Sequence, residues 1–97
     1  MKNLTMVLPT LNEAGNIENL SRLIWKNDPQ ISIIVSDDGS TDDTQAIVKK
    51  LMSEGLPISL NARTQPPCLT DSIWEGVIQA KTEYVGWMDA DLSHPPE

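Results

Sequence analysis

The sequence predicts an α/β fold, a mainly parallel sheet with helices on both faces, and three observations carry that prediction. Short apolar, β-branched runs alternate with segments whose apolar residues recur at helical spacing. The helical segments are bounded by Asn, Ser, Thr or Gly, the residues that start and stop helices. No internal repeat or low-complexity segment breaks the alternation.

Taken in order, "LTMVLP" (Leu4 to Pro9) is an apolar run closed by proline, the pattern of a buried strand. "NEAGNIENLSRLIWKN" follows as a helix, with Ile17, Leu20, Leu23 and Ile24 on one face and Asn12 or Asn16 as cap. "ISIIVS" (Ile31 to Ser36) is nearly continuous and β-branched, as a strand covered on both faces would be. "STDDTQAIVKKLMSEG" places Ile47, Val48, Leu51 and Met52 together, with Ser40 or Thr41 as cap and Gly55 as stop. "PISLN" is a weaker third strand. "LTDSIWEGVIQAK" is a third helix with Leu69, Ile73, Val77 and Ala80 in register, and "EYVGWM" a fourth strand. Such alternation gives parallel strands joined by right-handed helical crossovers, a Rossmann-like layer.

With 97 residues the chain holds at most one domain, and a hydrophobic fraction of 39% suffices for a core. No apolar stretch approaches the roughly 20 residues of a membrane-spanning helix, and no leader pattern follows Met1. The cytosol is the expected compartment. Cys68 is the single cysteine, expected as a free, packed thiol. The net charge of −7 points away from nucleic acid, whose phosphates need lysine and arginine. An acidic chain binds phosphates through a divalent cation, so the placement of its carboxylates matters more than their number.

In parallel α/β sheets ligands sit outside the carboxyl ends of the strands. "PTLNE" follows the first strand, "DDGSTDD" the second and "DADLSH" the fourth, which gathers Glu13, Asp37, Asp38, Asp89 and Asp91 at one edge. Like charges so placed repel unless something positive joins them. Asp89 and Asp91, two apart in extended backbone, point to one side and can approach one ion. Oxygen-only ligands suit Mg²⁺ or Mn²⁺, with substrate phosphates completing the shell. In the acidic loop, Asp42 and Asp43 favour the positive end of the second helix. Asp37 and Asp38 lie at a strand end, where a carboxylate can accept hydrogen bonds from a base or a ribose.

"PTLNE", "IVSDDGSTDDT" and "MDADLSHPPE", in this order, resemble the dolichol-phosphate mannosyltransferase branch of the family-2 glycosyltransferases, from about Leu4 to Glu97. The resemblance implies a GT-A fold, and residues 1–97 as its nucleotide-sugar-binding half, truncated before the acceptor half. It implies inverting transfer from GDP-mannose, or a UDP-sugar in relatives, to a polyprenyl or dolichyl phosphate. Position by position, Pro9, Leu11 and Glu13 would line the nucleotide, and Ser36 and Asp38 would sit at the base. Asp89 and Asp91 would hold the metal as catalytic residues, Ala90 would touch the nucleotide through its backbone, and Ser93 would complete the metal shell. An acceptor phosphate is already anionic near neutral pH and needs no general base, so His94 is read as structural.

Leu11 replaces the family's frequent tyrosine, Asp43 a common glycine, and Cys68, Leu69 and Thr70 stand where Gly-Leu-Gly is frequent. Arg63, just upstream, is either a contact to base or phosphate or a surface arginine. The full-length protein is expected at the cytosolic membrane face, and the 97 residues alone are expected to be inactive. A fourth strand short of neighbours would leave Tyr84, Val85, Trp87 and Met88 uncovered and favour self-association. A non-catalytic nucleotide- and metal-binding module stays open. A phospho-receiver fits less well, because its acidic pair follows the first strand and a lysine follows its last.

Overall fold

The structure, a computed structural model, describes residues 4–64 and 68–88. Four strands, β1 (Leu4–Thr10), β2 (Ser32–Asp37), β3 (Ile58–Ala62) and β4 (Tyr84–Trp87), alternate with three helices, α1 (Ile17–Asn27), α2 (Thr44–Ser53) and α3 (Leu69–Gln79). The sheet order is β3-β2-β1-β4, and every pairing is parallel. The predicted alternation and parallelism are therefore what the chain forms.

β1 and β2 are central and buried on both faces, which explains their unbroken apolar runs. Leu8, Ile33, Val35 and Ile58 meet Ile17, Leu20 and Ile24 of α1 and Val48 and Leu51 of α2 in one core. α3 covers the opposite face, against β1 and β2. Pro9 sits inside a central strand at no cost to the ladder. The Val7 carbonyl accepts from Met88 N–H, so Val7 and, two residues on, Pro9 turn their backbone toward β4, whose pairing ends opposite Val7.

The helix faces differ from the sequence expectation. Leu23 and Met52 are exposed, while Ser21 and Thr44 are fully buried. Leu69 is 55% exposed, and the inner residues of α3 are Ser72 and Gly76. The reason is a close approach. A Cβ on Gly76 would lie 2.5 Å from Val7 Cγ1 and 3.1 Å from its Cγ2, so α3 meets the sheet through small residues, with Ile73 and Val77 half-buried alongside.

The caps also differ. Neither Asn16 nor Asn12 caps α1 with its side chain; the Glu13 carbonyl starts that helix by accepting from Ile17 N–H at 2.9 Å. α2 begins at Thr44 with Asp43 in the cap position and no side-chain cap bond; Asp42 Oδ1 just before it accepts from Thr44 N–H at 2.9 Å, and neither Ser40 nor Thr41 caps the helix. Gly55, at φ 97°, does end α2. Cys68 is free and exposed, not packed.

Candidate functional site at the carboxyl edge of the sheet

The loops after β1 and β2 leave the same edge and are laced together. Asn12 N–H donates to Ser40 Oγ at 2.8 Å, and Asn12 Oδ1 accepts from Thr41 N–H at 2.8 Å. Glu13 N–H donates to Thr44 Oγ1 at 3.0 Å, and Ala14 N–H to Asp42 Oδ2 at 3.1 Å. Asn12 holds φ at 56°, a left-handed conformation that asparagine tolerates better than most residues. These bonds fix the edge before any ligand arrives.

The two acids ending β2 do different work. Asp37 is fully buried. Its Oδ1 accepts from Thr10 Oγ1 at 2.6 Å and from the Ser40 hydroxyl. Its Oδ2 accepts from Gln45 Nε2 at 2.7 Å, Ser40 N–H at 2.8 Å and Gly39 N–H at 3.1 Å. Burial pushes this carboxyl up, but the hydrogen bonds from Ser40, Thr10 and Gln45 together outweigh it and hold the group below the usual carboxylate range. The expectation that Asp37 could serve a base or ribose is corrected here, because its oxygens are committed to the loop.

Asp38, 7% exposed, pairs with Arg63 through Oδ1. The Arg63 side chain is 1% exposed, which overturns the surface reading of that arginine. Arg63 Nε donates to Glu75 Oε2 at 2.7 Å, and its guanidinium is held firmly protonated by Glu75 and then Asp38. The positive group that the acidic edge requires is thus supplied from within the chain, at least for Asp38. Among the described residues, no three acidic, histidine or cysteine side chains converge as a metal site.

Of the remaining predicted residues, Pro9 is buried and Leu11 stands exposed on the β1–α1 loop. Glu13 is half-buried at the start of α1. Ser36 is fully buried, its hydroxyl accepting from Asn61 Nδ2 at 3.2 Å and its carbonyl from Ser72 Oγ at 2.8 Å. Asp89, Ala90, Asp91 and Ser93 lie outside the described residues, as does His94. β4, which precedes them, runs parallel to β1 and so ends toward the same edge as the laced loops.

Sequence reasoning missed Thr10, Asn61 and Glu75. One signal was available: Asp71 and Glu75, four apart on a helix, form an acidic stripe that a nearby arginine can face.

The sequence model of glycosyl transferase family 2 matches residues 5–97. The chain belongs to glycosyl transferase family 2. Among relatives of this family 2 chain, the dolichol-phosphate mannosyltransferase of Saccharomyces cerevisiae is 33% identical over 98 residues, covering 96% of this chain and 37% of that enzyme. The dolichol-phosphate mannosyltransferase of Pyrococcus furiosus is 35% identical over 95 residues, covering 96% of this chain and 27% of that enzyme. In three dimensions, a Pyrobaculum calidifontis mannosyltransferase in complex with GDP-Man and Mn²⁺ matches with TM-score 0.83 at 28% identity, over 92% of this chain and 27% of that one. Staphylococcus aureus TarS in complex with UDP-GlcNAc matches with TM-score 0.75 at 28% identity, over 94% of this chain and 27% of that one. The family 2 chain therefore spans well under half the length of these relatives, and its parallel sheet is of their GT-A kind.

Proposed function

We propose that this chain is the nucleotide-sugar-binding part of an inverting hexosyltransferase. It would take its sugar from GDP-mannose or a UDP-sugar and serve transfer to a polyprenyl or dolichyl phosphate at the cytosolic face of a membrane. The observation that carries the reading is the carboxyl edge itself. Two loops locked to each other flank the end of β1, Asp38 stands at the end of β2, and β4 runs to the same edge two residues before Asp89. The match to a mannosyltransferase solved with GDP-Man and Mn²⁺ supports it.

In this reading Pro9, Leu11 and Glu13 line the nucleotide and Asp38, with Ser36 beneath it, meets the base. Among the described residues Arg63 engages Asp38 through Oδ1, and Oδ2 would meet donors on the nucleotide. Asp89, Asp91 and Ser93 present only oxygen donors, a set that fits Mg²⁺ or Mn²⁺. A cation bound there would neutralise charge on the departing diphosphate.

Calorimetric titration of GDP and UDP, with and without Mn²⁺, tests this. Mn²⁺ should tighten nucleotide binding to the wild type, and Asp91→Asn should lose that gain, about tenfold or more, the scale of one charged contact. Equal behaviour of the two proteins would reject the metal assignment. Nucleotide binding without any transferase activity in the full-length protein would instead favour the non-catalytic module.

A second expectation concerns association. β4 is an outer strand of the described sheet, and Tyr84 and Trp87 on it are 65% and 51% exposed. Such an edge offers unpaired backbone and apolar surface to another chain. The 97 residues should self-associate in size-exclusion chromatography with light scattering and transfer no sugar to a polyprenyl phosphate. A monomer across the concentration range, or measurable transfer, would contradict this.

A further inference from the structure

A buried guanidinium near the base side of the edge is shared among acids from two different elements. Arg63 follows β3, and its Nη1 donates to Asp38 Oδ1 while its Nε donates to Glu75 Oε2 at 2.7 Å. Asp71 Oδ2 stands farther off, 3.9 Å from Nη2. The second oxygen of Glu75 accepts from Asn61 Nδ2 at 3.1 Å, and Asn61 also donates to Ser36 Oγ at 3.2 Å. One carboxylate on α3 therefore ties off both side chains at the end of β3. Through them it reaches Ser36 and Asp38, the two residues at and just past the end of β2 assigned to the base.

The geometry gives Glu75 a function beyond holding α3 in place. A guanidinium is a planar fork, so fixing its Nε edge fixes the direction of its Nη1 donor and hence the orientation of the carboxylate it holds. Arg63, at 1% exposure, lies beneath the edge and acts on what Asp38 presents. The hydrogen bonds from Arg63 and Asn61 hold the Glu75 carboxyl below the usual range, so the clamp is charged at neutral pH.

We propose that Glu75 is a positioning residue for recognition of the nucleotide base, acting through Arg63 to orient the Asp38 carboxylate. This rests on the reading that Asp38 meets the base.

The test measures dissociation constants for GDP, UDP and inorganic diphosphate, all with Mn²⁺, in four proteins: wild type, Glu75→Gln, Asp38→Asn and the double variant. Urea midpoints are measured alongside. Glu75→Gln preserves shape and one acceptor but removes the charge, so the fold should hold. Glu75→Gln should weaken both nucleotides about threefold to tenfold, the scale of one hydrogen bond to a charged group. Inorganic diphosphate, which has no base, should bind unchanged. Added to Asp38→Asn, the Glu75 substitution should cause no further loss. Unchanged nucleotide affinity in Glu75→Gln, an equal loss for inorganic diphosphate, or additive losses in the double variant would overturn the proposal while leaving the base site standing. Should Asp38→Asn itself leave nucleotide affinity unchanged, the underlying reading falls, and this proposal with it.

Discussion

Asp37→Ala should bring the chain to the edge of unfolding. The substitution strips the acceptor from Thr10 Oγ1, the Ser40 hydroxyl, Gln45 Nε2 and the N–H groups of Gly39 and Ser40 in one step, around a side chain that is fully buried, although Gly39 is exposed and Ser40 and Gln45 are half-buried. Donors buried without partners cost about 1–3 kcal/mol each, non-additively. A loss of about 3–5 kcal/mol, the range for breaking a buried charged network, removes much of the roughly 5–15 kcal/mol that holds a domain of this size. Asp37→Asn keeps the shape and one acceptor and should cost about half as much. Both are read from urea midpoints. The pH dependence has a definite sign. The folded-state carboxyl is held below its ordinary value of about 3.9, so its stabilisation is complete above that value and is lost as pH falls below it, through the folded pKa. Wild type should therefore lose stability on acidification more steeply than Asp37→Asn. Parallel pH profiles would show that Asp37 is not the group responsible.

Gly76→Ala should destabilise the protein even though alanine is the better helix former by about 1 kcal/mol. The new Cβ would sit 2.5 Å from Val7 Cγ1 and 3.3 Å from Val7 Cβ. Val7 is fully buried, and its branched side chain springs directly from β1, so it cannot swing aside as a long chain could. Overpacking of this kind costs about 1–3 kcal/mol; with Val7 unable to move aside the upper half of that range applies, which leaves a net loss of about 1–2 kcal/mol after the gain in propensity. Gly76→Leu should cost more. Val7→Ala made in the Gly76→Ala background should recover part of the loss, whereas Val7→Ala alone should be destabilising through the cavity it leaves. A Gly76→Ala protein as stable as wild type would mean that α3 can retreat from the sheet freely.

These two positions mark where the sequence was legible and where it was not. Periodicity located the seven described elements because a strand or helix is a local pattern repeated over several residues. It placed Ile17, Leu20, Ile24, Val48 and Leu51 inside correctly but misjudged Leu23, Met52 and the inner face of α3, because what a helix turns inward depends on how close the partner surface comes. α3 buries Ser72 and Gly76 and exposes Leu69, since Val7 leaves room for nothing larger. The acidic edge was equally visible as composition, but its division of labour was not. Asp37 and Asp38 are neighbours in sequence, yet one is surrounded by donors from Thr10, Ser40 and Gln45 and the other by an arginine 25 residues on. Such partners are brought together by parallel pairing, which places Thr10 beside Asp37 and Asp37 beside Ala62. Ser40 and Gln45 are local to Asp37, but Thr10 and Arg63 lie 27 and 25 residues from the acids they meet.

The pairing of β1 with β4 has a consequence for how the molecule comes to be. Leu4 is the register partner of Tyr84, far along the chain, and the hydroxyls of Thr5 and Thr82 meet at 2.6 Å. β1 to β3 can assemble with α1 and α2 from local crossovers, but closing the last ladder joins the two ends of a long loop and gains its contacts only afterwards. The sheet thus waits on translation. Until Tyr84 has been added, one flank of β1 lacks its partner, and among the described strands the one that leads to Asp89 is the last to pair.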